Sequence, residues 1–61
     1  MTLQELKLKS IELVKQYPHY EDQIRDLYFL AQDEVEEGGS EAHECELAIS
    51  DMESLIMDGD E

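Results

Sequence analysis

Sixty-one residues make one domain at most, and a chain so short buries only about 60% of the surface it exposes when unfolded. A formal charge of −13, from four basic against seventeen acidic side chains, excludes direct nucleic-acid binding through lysine and arginine and disfavours an anionic membrane surface. One cysteine excludes an internal disulfide, and no apolar run nears the roughly 18 residues that a membrane span needs.

The first segment opens with Thr2 and Glu5 at the spacing of a capping box, which predicts a helix over about 3–16. Leu3, Leu6, Ile11, Leu13, Val14 and Tyr17 share one broad face at 100° per residue, and Leu8 does not. Pro18 disfavours helical geometry at Tyr17, so the helix ends there. Proline suits the first turn of a second helix, over about 18–37, with Glu21 and Asp22 at the positive end of its dipole. Ile24, Tyr28, Ala31 and Val35 form its seam, flanked by Tyr20 and Leu27, while Phe29 and Leu30 lie off it. Gly38-Gly39 stops this helix, because glycine accepts the left-handed conformation at a C-terminus. Ser40 then caps a third helix, over about 41–57, with a seam of Ala42, Cys45, Ile49, Met52 and Ile56, widened by Ala48 and Leu55. Residues 58–61 carry no apolar anchor and should fray.

The link between the second and third helices spans about three residues, which forces an αα-hairpin. The first helix is expected to fold back across it, giving a single all-α domain of three helices over residues 1–57. A chain this small, without disulfides, normally needs a further staple, so a homodimeric bundle is expected. The candidate dimer or partner contacts are Leu8, Tyr20, Phe29, Leu30, Leu47 and Met57, although single exposed apolar residues are ordinary.

Charge is unevenly spread. Residues 1–18 carry three lysines against two glutamates, a balance of +1, whereas residues 19–61 carry Arg25 against fifteen carboxylates, a balance of −14. Asp22, Asp26, Asp33 and Glu37 recur along one side of the second helix, and Glu44 and Asp51 along the third. The bland reading is a solubilising exterior. The functional reading is a face for an unidentified protein with a basic surface, and its narrow form is a nucleic-acid mimic that blocks a DNA-binding groove.

His43 and Cys45 together suggest zinc, but residues two apart on a helix point about 200° apart, and Cys45 fits the apolar seam. No metal or cofactor is therefore expected. Asp58-Gly59-Asp60-Glu61 lacks the twelve-residue calcium frame. Neither His19 nor His43 has a nucleophile on its face, so no catalytic residue is assigned and the chain reads as a non-enzyme. Tyr17-Pro18-His19-Tyr20 reads as an aromatic cover for the hairpin end, with an interaction hot spot as the alternative. One thiol, and no apolar core in the opening MTLQELKLKS, point to the cytoplasm.

The text ELKLKSIELVKQYPHYEDQIRDL and AQDEVEEGGSEAHECELAISDM, residues 5–27 and 31–52, resembles the small acidic early proteins of the exo–xis region of lambdoid bacteriophages. The resemblance implies a dimeric helical hairpin, made early in infection in the host cytoplasm, with a regulatory role in phage or host development. It carries no site residues.

Overall fold

The computed structural model describes residues 1–59 as three α-helices joined by one 3₁₀ turn and one tight loop. Helix α1 runs Leu3–Gln16 and begins with the capping box that its sequence announces. The Glu5 backbone N–H donates to Thr2 Oγ1 at 3.2 Å, and the Thr2 backbone N–H donates to Glu5 Oε1 at 3.1 Å. Each side chain thus satisfies an orphan amide of the other residue. Pro18–Tyr20 form a single 3₁₀ turn, and α2 spans Glu21–Glu36. The second helix therefore starts three residues later than the periodicity predicts. Tyr20 sits at φ −102° and ψ 11°, in the bridge region, so the proline turn is not continuous with the helix that follows.

The stop at the end of α2 is a Schellman motif. Gly38 has φ +107°; its N–H donates to the Val35 carbonyl at 3.1 Å, while the Gly39 N–H reaches the Glu34 carbonyl at 2.8 Å. The two glycines serve different ends. Gly38 supplies the left-handed angle, and Gly39 the space, since a Cβ there would lie 2.8 Å from the Glu34 carbonyl oxygen. Helix α3 follows over Glu41–Gly59, with the Ser40 hydroxyl accepting from the His43 N–H at 3.4 Å. Asp58 and Gly59 remain helical, which corrects the expected fraying over these two residues. The Tyr20 hydroxyl packs directly on Gly59 and covers the last turn. Asp60 and Glu61, the rest of the expected tail, lie outside the described residues.

The first helix does fold back. The Leu3 N–H donates to Glu41 Oε2 at 2.8 Å, so the starts of α1 and α3 stand side by side. Helix α1 is therefore parallel to α3, and α2 runs against both, in a bundle measuring 37 × 18 × 17 Å. Leu6, Ile24, Ala31, Cys45, Ala48 and Met52 form the buried core. Full burial of a side chain such as Leu6, Ile24 or Met52 contributes about 1.5–3 kcal/mol. Leu3, Leu13, Val14, Tyr20, Leu27, Tyr28, Ile49 and Leu55 pack around it, half-buried.

Two predicted seam positions change. Ile11 is 43% exposed, and its place on the inner face of α1 belongs to Ser10. The Ser10 hydroxyl donates to the Leu6 carbonyl at 2.8 Å and contacts the Met52 sulfur at 3.8 Å, so a polar side chain is buried with its bonding satisfied. Ala42, in the first turn of α3, is exposed, and the seam of that helix begins to bury one turn later, at Cys45. Among the described residues, no helix is long and apolar enough to cross a membrane.

Candidate interaction surfaces

Helix α2 borders a groove on each side, and the two grooves differ in chemistry. Between α1 and α2 lies an open groove of about 610 Å³. Ile11, Val14, Tyr28 and Phe29 give it an apolar floor, with the Tyr28 and Phe29 rings 5.6 Å apart and tilted by 60°. Lys7, Lys15 and Arg25 rim it, opposed by the carboxylate of Glu21. Three of the four basic side chains of the chain thus share one feature. Sequence reading placed the lysines on a mildly basic first segment but did not bring Arg25 beside them. The spacing Lys7, Ile11, Lys15, one residue every four along α1, is a signal for the α1 edge alone and says nothing of Arg25.

Between α2 and α3 lies a shallower groove of about 370 Å³, formed by Gln23, Leu27 and Leu55 and edged by Asp26 and Asp51. Two residues of the expected acidic face, from different helices, are brought together here. Asp22 and Asp33 continue the row along α2, exposed, and Glu37 caps its end. Glu44 departs from the row. It is half-buried and lies against Gly39 at the turn.

The expected contact residues are dispersed. Phe29, 50% exposed, lies in the α1–α2 groove. Leu8 stands exposed on the outer side of α1, three residues before Ile11. Leu30, Leu47 and Met57 are exposed on α2 and α3 and border neither groove, with Met57 the most open at 76%. Tyr20 is half-buried and packed on the core. Its ring lies 4.2 Å from that of His19, which in turn meets Tyr17 edge-on at 6.5 Å. The aromatic corner therefore covers the end of the bundle, and only His19 of the three is exposed.

Cys45 is fully buried, whereas His43, two residues away, is exposed. Their divergence follows the helical rotation and leaves no shared coordination sphere. Among the described residues, no group of three or more histidine, cysteine, aspartate or glutamate side chains could hold a metal ion. Burial pushes the Cys45 thiol above its ordinary pKa, and the Glu41 carboxylate adds to the shift, so the thiol is neutral and a poor nucleophile at neutral pH. Glu41 itself was missed by sequence reading. Its carboxylate lies at the amino ends of α1 and α3 together, where both helix dipoles favour an anion. Comparison with protein-family models, with curated proteins and with solved structures finds no match to this chain.

Proposed function

We propose that this chain is a non-enzymatic regulatory or accessory protein that acts as a homodimer, by contact with another protein, in the bacterial cytoplasm. The resemblance to early proteins of lambdoid bacteriophages gives that reading a setting, in which the protein biases phage or host development. One observation carries the contact: Leu30, Leu47 and Met57 are about half or more exposed, while only six hydrophobic side chains are buried among the described residues. One such residue is ordinary, but three on so small a body, beside so small a core, favour a partner that covers them. The surrounding carboxylates keep the free protein soluble and speed its approach to a basic surface.

A second reading is nucleic-acid mimicry, in which the carboxylates occupy a basic DNA-binding groove. The pairing of Asp26 with Asp51 across the α2–α3 groove favours it, because it extends the acidic row beyond a single helix. Salt separates the two. The chain, immobilised and exposed to a bacterial lysate, should retain the same specific protein at low and at high ionic strength, and a Leu30→Ser, Met57→Ser double variant should lose it. Retention that disappears with added salt and is indifferent to the double variant supports mimicry instead.

A further inference from the structure

We propose that the α1–α2 face is the surface through which two copies of this chain pair, α1 of each copy lying over α2 of the other. The inference rests on the homodimer reading above and adds the face that makes it. Two bodies of charge −13 repel, so they approach most easily through the surface that carries their cations. Lys7, Lys15 and Arg25 meet one carboxylate, Glu21, around the α1–α2 groove, a local balance of +2 that leaves −15 for the rest of the chain. Helix α3 holds no lysine or arginine, and pairing through it would set carboxylates against carboxylates.

The arrangement across the face follows from the charge of each helix. Helix α1 carries three lysines against two glutamates, a balance of +1, and the side of α2 around Phe29 carries Arg25 against Glu21, Asp22, Asp33 and Glu36, a balance of −3. A two-fold axis that sets α1 over the partner's α2 brings unlike charges together twice and closes the assembly at two copies. Setting α1 over the partner's α1, and α2 over its α2, would instead stack lysines on lysines and carboxylates on carboxylates. The side chains match this crossing. Leu8, Ile11 and Lys15 form an outer stripe on α1 at 3-4 spacing, while Phe29 on α2 shares a stripe with Asp22, Asp33 and Glu36. Ile11, Phe29 and Leu8 are 43%, 50% and 59% exposed in the single chain, so apolar area remains to be covered. A standard interface takes about 800 Å² from each partner. That is under a fifth of the 4342 Å² that one copy exposes.

Sedimentation equilibrium of the full chain tests the assignment, with circular dichroism to verify that each variant is folded. Ile11→Glu puts a carboxylate against the acidic α2 of the other copy and should weaken the dimer by at least about tenfold, whereas Leu47→Glu, the same charge change on an exposed site of α3, should shift it by less than about twofold. Should Ile11→Glu unfold the chain, Phe29→Ser tests the same surface more gently. A wild-type chain that stays monomeric at every concentration overturns both the dimer reading and this face. A dimer that withstands Ile11→Glu and Phe29→Ser overturns the face alone.

Discussion

The two sides of α2 teach how one helix can present opposite chemistries. On the α3 side, Ala31, Cys45 and Ala48 are small residues of the buried core that let two helices approach closely, and the groove beside them is shallow and edged by Asp26 and Asp51. On the α1 side, Leu6 and Ser10 fill the centre while Ile11 and Phe29 remain uncovered, and the groove is larger, apolar and rimmed by cations. Core packing decides the depth of each groove, and the residues one position off each seam decide its charge. A protein of −13 therefore keeps one groove around which cations outnumber carboxylates.

The largest expected effect removes both sides at once. Ile24 is fully buried where α2 meets its neighbours, so Ile24→Asp leaves a carboxylate in the core without a partner. The cost, about 3–5 kcal/mol, matches the whole stability of a domain of this size, and circular dichroism should show the helices lost. Ile49→Asp, at a half-buried position, should weaken the fold and leave it largely helical at low temperature. Equal losses from the two variants would show that α3 is packed more deeply than its burial indicates.

Gly39→Ala acts on the α3 side alone. The new Cβ would press on the Glu34 carbonyl oxygen and displace the chain at the turn, at a cost of about 1–3 kcal/mol. The melting temperature should fall by about 4–8 °C for each kcal/mol. An unchanged melting temperature would mean that the close turn is not needed for the α2–α3 pairing.

The smallest effect is a pH dependence confined to the same side. The folded chain holds the Cys45 proton more tightly than the unfolded chain, because burial and then Glu41 raise the thiol pKa. Its contribution to stability is complete below the ordinary thiol value of about 8.5 and is lost as pH rises through the folded value, by at most about 1.4 kcal/mol per pH unit. Melting temperatures between about pH 7.5 and pH 9.5 should decline for the natural chain and decline less for Cys45→Ala. Parallel curves would assign the loss to other groups.

Much of this architecture is legible along the chain because its punctuation is local. Thr2 with Glu5, Pro18, Gly38-Gly39 and Ser40 each act within one helical turn, and all four mark element ends in the structure. The α2 seam also reads correctly, since Ile24 and Ala31 are buried and Tyr28 and Val35 half-buried. Where a tertiary neighbour arbitrates, the pattern misleads. Ser10 is polar by composition but behaves as a small core residue once its hydroxyl turns back to Leu6, and Ile11 is thereby left outside. The Tyr20–Gly59 contact and the Leu3–Glu41 hydrogen bond join residues almost forty positions apart, beyond the reach of any helical period. The cationic groove was half visible. Its lysines lie in one segment and Arg25 in another, and only the antiparallel packing of α1 on α2 unites them.

The cationic face depends on α1 lying across the hairpin rather than apart from it. Nuclear Overhauser contacts between methyl groups in solution test this most directly. The Leu6 methyls should show contacts to the methyl groups of Ile24 and Met52, alongside those between Ala31 and Ala48 within the hairpin. Hairpin contacts without any from Leu6 would contradict the account, and the cationic groove would go with them.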